Sequence, residues 1–580
     1  MVATVFTKGF SAVRMTSAWL DRFTGDTMNE TNMIDKTGAL DALFQPHNRS
    51  DAPGLVVGVA QHGRRLYRRG FGLASVELGV ANTAWTRMRI GSTSKHFTCL
   101  AALLLAEEGK LEVDASARKY FPALSPLRGE PTLRQFMTHT SGYRCFMDLA
   151  SLGDGMAIKP RGEALSAQLR QTAVNFAPGE KILYCNGGYH LLSLVIEKVA
   201  GMPFEQFLKE RIFTPLGMVD TISVPSDFEI HRGMATLHVP RPPEQGGGWR
   251  LGIFPTEELR GEGAMISSLD DMLTWLAHLR SPHKTVGSEA SWRQMTTPVT
   301  LNNGLVAPYG LGLMLHDYRG LQVIHHAGGV VGGTCQMITV PSHALDIIIM
   351  TNGAQANPMD LGYSIIDTVL GDALPGAVKE KAAAARFQPM LGTRYHAGAS
   401  GLVCGFVEAP EGKWGLTFLD GMPVPMAEQD TVLRIGFEEM ALGPLEVPAA
   451  SLAAEGQEAP PVLTLSEGGQ PERYERLPAT PPAVAVAGKA LLGRYHAPDL
   501  GADALMRFEG AQLLLDVFGA HGRDVMVLEP FSDLVFGLRF GGEYPPLRGV
   551  LSAERSDGAV NAFRINTHRT RNLRFERLAD

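Results

Sequence analysis

The residues in this sequence best placed to do chemistry are a serine and a lysine three positions apart. Gly91-Ser92-Thr93-Ser94-Lys95 follows a short strand-like segment and opens a helical pattern. Residues three apart on a helix share a face, so we expect the Ser92 hydroxyl and the Lys95 amine to be neighbours. A desolvated lysine can take the proton of a serine and turn it into a nucleophile. The spacing alone is weak evidence for a catalytic pair, because an N-cap serine followed by a solvated lysine produces the same pattern more often than a catalytic pair does.

A second group of polar residues follows about 90 residues later, at Tyr184-Cys185-Asn186. A phenol near an ammonium can carry protons between a nucleophile and a leaving group. An asparagine two residues on can hydrogen-bond Lys95 or a substrate carbonyl. Taken in isolation, this triplet is better explained as a packed tyrosine in an ordinary turn.

A third group is the segment 325–329, His-His-Ala-Gly-Gly. The small residues Gly328 and Gly329 after His326 allow an extended backbone to approach a ligand closely. The N–H of Gly329 can then face the same oxyanion as the N–H of Ser92. A glycine-rich turn beside a core histidine is the competing interpretation. We expect neither a metal nor a cofactor, since neighbouring residues on a strand point to opposite faces and no third ligand is suggested.

The order Ser-x-x-Lys, Tyr-x-Asn, His-x-Gly resembles the serine β-lactamase and penicillin-binding-protein superfamily. The third motif of that superfamily usually begins with lysine; the histidine found here is typical of its class C-like esterases and D-aminopeptidases. Other stretches agree with the resemblance and extend it over roughly residues 40–370. These supporting stretches are 133–142, 176–179, 215–218 and 263–268.

The resemblance implies an α+β catalytic domain, in which an antiparallel sheet is sandwiched by helices and the site lies where the sheet meets a helical subdomain. It implies that Ser92 is the nucleophile and that Lys95 and Tyr184 share the general-base and general-acid duty. It also implies that the N–H groups of Ser92 and Gly329 form an oxyanion hole. The substrate-binding or orienting positions implied in this way are Asn186, His326, Gly328 and Gly329.

The C-terminal part of the chain contains an internal repeat. Arg-Tyr-His-Ala at 394–397 returns at 494–497, and Arg-Tyr-Glu-Arg-Leu at 473–477 returns as Arg-Phe-Glu-Arg-Leu at 574–578. Between these ends, short apolar or alternating segments are broken by Gly, Pro and Asp, which is typical of antiparallel strands. Units this short predict small closed β-barrels whose first and last strands pair.

These observations predict a domain order. We assign 1–27 to an N-terminal extension, and the sequence leaves open whether it is disordered or a product of start-site choice. The expected domains are a β-lactamase-like catalytic domain over 28–385 and β-barrel repeats over 386–480 and 487–580.

A catalytic domain of this kind with two barrels looks like the bacterial D-aminopeptidases, in which a loop of the last barrel narrows the active site. The candidate loops are 519–524 and 541–546. Asp524 or Glu543 can pair with a substrate ammonium, although a solvated loop acid is the commoner situation.

Composition limits the partners. The formal net charge of −7 over 580 residues argues against a nucleic-acid-binding surface. No stretch approaches the roughly 18 apolar residues of a membrane span. The five cysteines form no Cys-x-x-Cys pair and fit a reducing compartment. We therefore expect a small-molecule or short-peptide substrate, no nucleic acid or membrane partner, and a cytoplasmic location; the periplasm and a homodimer stay open.

The sequence thus favours a metal-free serine hydrolase acting through an acyl-enzyme. The first hypothesis is a D-stereospecific aminopeptidase that releases N-terminal D-amino acids from peptides or amides. The alternatives are a carboxylesterase, a peptidase for small linear peptides, and a β-lactamase-like penicillin-recognising protein. A non-catalytic ligand sensor is disfavoured because Ser92, Lys95, Tyr184 and Asn186 are all present.

Overall fold

The computed structural model describes most of the chain from residue 30 onward. The expected extension over 1–27 and the candidate loop 541–546, with its Glu543, lie outside the described residues. Among the described residues, no helix has both the length and the apolar character needed to cross a membrane. The described residues are 30–127, 129–374, 381–382, 385–409, 413–419, 421, 423–429, 432–435, 445–453, 456–540 and 548–579.

Helices and strands alternate irregularly up to residue 370, and strands dominate after it. The α-helices are α1 Glu30–Phe44, α2 Lys95–Glu107, α3 Leu133–Met137, α4 Phe146–Asp154, α5 Glu163–Arg170, α6 Asn186–Ala200, α7 Phe204–Leu208, α8 Thr214–Leu216, α9 Leu269–Arg280, α10 Glu289–Met295, α11 Pro358–Leu370 and α12 Val484–Ala487. The strands up to residue 370 are β1 Leu55–Gln61, β2 Arg64–Phe71, β3 Leu73–Ser75, β4 Val80–Ala81, β5 Met88–Arg89, β6 Ile222–Ser223, β7 His238–Pro240, β8 Trp249–Leu251, β9 Met265–Ser267, β10 Val299–Thr300, β11 Val306–Ala307, β12 Met314–Tyr318, β13 Leu321–Val330, β14 Gly333–Val340 and β15 Leu345–Thr351.

The main sheet of the catalytic domain has six antiparallel strands in the order β12-β13-β14-β15-β1-β2. Its central strands β1 and β15 are buried along their whole length, because helices cover both faces. On one face, α1 and α11 pack against residues such as Val57 and Ile347. On the other face, α2 and α9 belong to a core that includes Val56 and Ile348. The predicted sheet sandwiched by helices is confirmed.

The two helices that follow the first two motifs begin at positions different from those expected. Gly91–Ser94 forms a 3-10 turn, and α2 starts only at Lys95. The helical pattern predicts a second helix from Tyr189, but α6 already starts at Asn186. It is followed by Gly201 in the left-handed conformation typical of a glycine C-cap. The turn and the early start of α6 place Ser92 and Asn186 at the ends of helices.

The repeats form the two predicted barrels. The first repeat and its preceding segment contain β16 Lys381–Ala382, β17 Arg394–Ala397, β18 Val403–Ala409, β19 Lys413–Phe418, β20 Val424–Gln429, β21 Val432–Ile435, β22 Leu445–Pro448, β23 Val462–Glu467 and β24 Gln470–Arg476. The second contains β25 Gly493–Ala497, β26 Ala502–Glu509, β27 Gln512–Phe518, β28 Arg523–Pro530, β29 Val535–Phe540, β30 Arg548–Ser556, β31 Ala559–Asn566 and β32 Leu573–Arg577.

The second barrel is closed through all eight strands, with Tyr495 on its first strand opposite Arg577 on its last. The first is a curled sheet in which β20 also pairs with β21, so that pairing runs from β17 round to β24 and back to β17. Composition predicts two linkers, the Ala/Lys stretch 376–386 and the Pro/Ala stretch 478–487, and both contribute residues to these units. Lys381–Ala382 pairs with β20, and Ala487 of α12 belongs to the core of the second barrel.

Candidate active site

The turn that carries Ser92 is pressed against strand β13. Gly91 has a φ of +50°, and a Cβ on it would lie 2.8 Å from the carbonyl oxygen of Gly329. A Cβ on Gly328 would lie 1.9 Å from the carbonyl oxygen of Ile90. Both positions therefore require glycine. Because Gly91 and Gly328 have no side chains, the backbone of Ser92 can lie next to that of Gly329.

Lys95 occupies the centre of the site. Its Nζ donates to Ser92 Oγ at 2.9 Å, to Asn186 Oδ1 at 2.8 Å and to the carbonyl of Glu262 at 2.6 Å. The side chain is fully buried, and this burial lowers the pKa of Lys95 to about 7, although the charge of Glu262 opposes the shift. The amine can therefore be neutral near neutral pH, while it remains within reach of the serine proton.

Tyr184 and Asn186 approach Lys95 from the start of α6. Lys95 Nζ lies 4.7 Å from the centre of the Tyr184 ring, and that ring packs on the ring of His139 at 4.3 Å. Asn186 joins two groups, because its Oδ1 accepts from Lys95 and its Nδ2 lies 3.2 Å from Met147 Sδ. The structure thus brings together the serine, lysine, tyrosine and asparagine of the first two motifs.

His326 faces the same site from β13. Its Nδ1 lies 2.6 Å from the carbonyl of Ala327, which requires a proton on Nδ1, so Nε2 accepts from the Tyr309 hydroxyl at 3.1 Å. Burial and the charge of Lys95 lower the pKa of His326 to about 3, which keeps the ring neutral. The adjacent His325 instead contacts His316, on the other side of the strand.

A loop from the second barrel also reaches the site, and the sequence analysis missed it. The loop 567–572 joins β31 to β32, and its Arg569, whose side chain is only 14% exposed, has Nη2 2.5 Å from Asp148 Oδ1. Thr567 Oγ1 donates to the other carboxylate oxygen of Asp148 at 2.7 Å. Burial disfavours the charge of Arg569, but the field of Asp148 outweighs it and raises the pKa of the arginine. Arg569 in turn lowers the pKa of Lys95.

Further polar contacts hold this loop on the catalytic domain. Asn175 Nδ2 donates to the carbonyl of Arg569 at 3.0 Å, and Asn175 Oδ1 accepts from the N–H of Arg571 at 2.8 Å. Arg144 is buried and pairs with Asp499, and its guanidinium also donates to the carbonyl of Arg571 at 3.0 Å. No short motif marks this loop in the sequence. Only the resemblance to enzymes whose last barrel reaches the site indicated that a loop of this barrel would lie there.

The candidate loop 519–524 lies elsewhere. The N–H groups of His521 and Gly522 donate to Asp154 Oδ1 at 2.8 and 3.1 Å, at the far end of α4 from Asp148. Asp524 is half-buried there, and burial raises the pKa of its carboxyl to about 6. In the part of the chain that the structure describes, no group of three or more His, Cys, Asp or Glu side chains could hold a metal ion.

Comparisons with known proteins agree with the fold. The Beta-lactamase family model matches residues 40–367. A D-aminopeptidase of Brucella anthropi is 27% identical over 496 residues, which are 82% of this chain and 85% of the relative. A D-aminopeptidase of Cereibacter sphaeroides strain ATCC 17023 is 29% identical over 560 residues, 93% and 98% of the two chains. The fold is similar to that of an octameric penicillin-binding protein homologue from Pyrococcus abyssi, with a TM-score of 0.52, 18% identity and coverage of 93% and 99%.

Proposed function

The chain belongs to the beta-lactamase family, a family of hydrolases, and on this premise we propose that it is a serine hydrolase with Ser92 as its nucleophile. The observation that carries the proposal is the 2.9 Å contact between Lys95 Nζ and Ser92 Oγ. A buried lysine with a pKa near 7 is a suitable base for a serine, because its neutral form is well populated at neutral pH.

The proposed reaction has two halves. Neutral Lys95 takes the proton of Ser92 as Oγ bonds to the substrate carbonyl carbon, and the N–H groups of Ser92 and Gly329 stabilise the oxyanion. The bond to the leaving amine then breaks, and the amine takes a proton from Lys95 by way of Tyr184. Water attacks the acyl-enzyme along the reverse proton path, which releases the acid and restores the Ser92 hydroxyl. Asn186 keeps Lys95 in place.

Within this class, the activity we propose is that of a D-stereospecific aminopeptidase. Support comes from two relatives named D-aminopeptidase, one of which aligns over 93% of this chain. Support also comes from Arg569, because a second barrel that contributes to the site can limit which substrates enter it. Amide, ester and penicillin substrates share the acyl-enzyme chemistry, so the substrate has to be identified by assay.

The proposed function is tested with chromogenic D-Ala anilide, L-Ala anilide and a short-chain ester. We expect clear turnover of D-Ala anilide and little of the other two. Comparable ester turnover without preference for the D-isomer would instead favour a carboxylesterase.

The nucleophile is tested separately. Ser92→Ala should abolish turnover and leave the thermal midpoint nearly unchanged, since truncating this partly exposed hydroxyl opens little cavity. A fluorophosphonate probe should add its mass to Ser92 in the wild-type protein. A wild-type protein that is never labelled would contradict the assignment of Ser92 as the nucleophile.

A further inference from the structure

A buried pair of side chains, His190 and Glu262, adjoins Lys95. Both side chains are 0% exposed, and His190 Nδ1 lies 3.2 Å from Glu262 Oε1. An ionised carboxylate only accepts, so the proton of this contact lies on Nδ1 of His190. The N–H of Arg260 donates to the same carboxylate oxygen at 3.1 Å. The reaction proposed above uses neither side chain.

The segment that carries Glu262 is fixed against the helix that carries Lys95. The carbonyl of Glu262 accepts from Lys95 Nζ at 2.6 Å. The carbonyl of the preceding residue, Gly261, accepts from Thr98 Oγ1 at 2.9 Å, one turn further along α2. His190 on α6 holds the side chain of Glu262 from the other direction. Glu262 therefore contacts Lys95 through its backbone, while its carboxylate is buried in the same part of the core.

The charge of this carboxylate is not neutralised by the arginine next to it. The guanidinium of Arg260 donates instead to Glu258 at 2.8 Å and to Glu197 at 3.0 Å. Among the described residues, Glu262 Oε2 has no hydrogen-bond partner. Buried charges interact more strongly than charges in water, because the surroundings screen them less. The carboxylate of Glu262 therefore favours the ammonium form of Lys95, whereas burial favours the neutral amine.

This charge matters in the step that activates Ser92. As Oγ bonds to the substrate carbonyl carbon, its proton passes to Lys95 Nζ, and the neutral amine becomes an ammonium. Burial penalises the new positive charge, and a carboxylate nearby offsets the penalty. In a Ser-His-Asp triad, the acid likewise orients the base and stabilises the cation that forms on it.

We propose that Glu262 is a positioning residue whose buried carboxylate stabilises the ammonium formed on Lys95 when Ser92 is activated. The inference rests on the proposed function and adds to it a third group that supports the nucleophile and the base. Because its side chain is 0% exposed, Glu262 acts through Lys95 and does not contact the substrate. His190 and the N–H of Arg260 hold the carboxylate in place.

Other titratable or charged groups surround the same pair, and all of them are retained when Glu262 alone is replaced. Those near the lysine are Arg569 on the loop 567–572, Cys145 before α4, Cys185 before α6, Cys99 on α2, His139 after α3 and His326 on β13. The rings of Tyr184 and Tyr189 also face the lysine, and His190 and Arg260 adjoin Glu262. A difference between the pH profiles of the wild type and of a Glu262 variant therefore reports the charge of Glu262.

The first experiment compares kcat and KM for D-Ala anilide between pH 5 and pH 9 in the wild type, Glu262→Gln and Glu262→Asp. Glutamine removes the charge, so the pKa of Lys95 falls and the acid limb of kcat/KM should move to lower pH by about one unit. On the plateau, kcat should fall roughly tenfold while KM changes little, because the lysine is a weaker base. Aspartate keeps the charge and should stay closer to the wild type in both respects.

The two variants separate an electrostatic role from a structural one. Glutamine fills the space of glutamate better than aspartate does, so a structural role predicts that Glu262→Asp departs further from the wild type. That order, or a Glu262→Gln profile identical to that of the wild type, would overturn the proposal.

Glu107→Gln is the matched control. Glu107 lies at the other end of α2, about 18 Å from Lys95 along the helix axis. Its carboxylate accepts from Ser291 Oγ at 2.5 Å and from the N–H of Ser288 at 2.7 Å. The control should leave the acid limb in place, and a shift as large as that of Glu262→Gln would overturn the proposal.

The second experiment follows Lys95 without substrate, by NMR titration of the full-length protein containing lysine with ¹³C at Cε. The signal of Lys95 is the one missing from the spectrum of Lys95→Arg. Its midpoint should move to lower pH by about one unit in Glu262→Gln and stay unchanged in Glu107→Gln. Glu262→Ala also removes the charge, without placing an amide in the core, and should move the midpoint in the same direction.

The two experiments distinguish failure of this inference from failure of the proposed function. Hydrolysis of D-Ala anilide together with an unmoved Lys95 midpoint in the Glu262 variants would overturn the role of Glu262 alone. A shifted midpoint in a protein that hydrolyses neither anilide nor ester would overturn the proposed function and support the coupling of Glu262 to Lys95.

Discussion

At the level of single residues, the activation of Ser92 in the proposed mechanism depends on the protonation state of Lys95. The pKa of Lys95 is lowered to about 7 by burial, and three hydrogen-bond acceptors surround its Nζ. Below this pKa the amine is an ammonium that cannot accept a proton, and above it the amine is a base. Activity should therefore be lost as the pH falls below the pKa of Lys95.

We predict that kcat/KM falls about tenfold per pH unit below pH 7 and levels off above it. The reason is that kcat/KM reports the titration of the free enzyme, where Lys95 must be neutral. The measurement is a pH–rate profile with D-Ala anilide between pH 5 and pH 9. A profile that is flat across pH 7 would contradict the role of Lys95 as the base.

A second prediction concerns the same side chain. Lys95→Arg keeps the positive charge at every accessible pH, so it should lower kcat/KM by about 10²- to 10⁴-fold, the usual contribution of a general base. Lys198→Arg is the matched control, since Lys198 donates to the carbonyl of Tyr120 away from the site. Activity in Lys95→Arg that matches the control would show that another group takes the serine proton.

Part of this site could be predicted from the sequence, for physical reasons. Ser92 and Lys95 are three residues apart, and a helical turn brings such residues together in any fold. Tyr184 and Asn186 were found through the resemblance and not through spacing. Arg569 could not be found, because its contact with Asp148 depends on how the second barrel docks. The neighbouring contact between Thr567 and Asp148 joins residues 419 positions apart.

At the level of elements, the loop 567–572 of the second barrel reaches the candidate active site. It is held by Asn175 and Asp148 and carries a buried cation toward Lys95. The arginine disfavours the protonated form of Lys95, so the barrel helps to set the pH at which the lysine becomes a base.

The third prediction tests this electrostatic effect with the double variant Arg569→Met/Asp148→Asn. Removing both partners avoids an unpaired buried charge, which would destabilise the protein for other reasons. Without the arginine, the pKa of Lys95 rises, so the acid limb of the kcat/KM profile should move to higher pH. The exposed pair Arg539 and Glu529 on the same barrel provides the control variant Arg539→Met/Glu529→Gln. An unchanged acid limb in the double variant would contradict the effect.

At the level of the whole molecule, buried polar contacts fix the second barrel to the catalytic domain. Arg144 and Asp499 form an ion pair whose side chains are only 2% and 11% exposed, and Thr172 donates from its backbone to the same carboxylate at 3.0 Å. The catalytic domain and the last barrel therefore each contribute charges that the other must neutralise.

The fourth prediction concerns stability. Asp499→Ala leaves Arg144 buried without its counter-charge, so it should lower the free energy of unfolding by about 3–5 kcal/mol. Asp503→Ala removes an exposed partner of His496 and should cost no more than about 1 kcal/mol. Denaturant titration followed by circular dichroism measures both changes. Similar losses in the two variants would mean that the Arg144 contact does not hold the domains together.

The fold was easier to predict than the docking of its parts. Repeated ends at 394–397 and 494–497 were sufficient to predict two barrels, because paired first and last strands follow from the local pattern. The start of α2 was placed too early, since the 3-10 turn at Gly91–Ser94 depends on its packing against Gly328 and Gly329.

The two barrels differ at the hairpin that joins their last two strands. In the first barrel this connection is the glycine pair 468–469, whose carbonyl at Gly468 accepts from Asn303 at the edge of the catalytic domain. In the second barrel the same connection is the six-residue segment 567–572. The longer connection lets the second barrel place Arg569 against Asp148 of α4, a distance from the rim that a two-residue turn does not span.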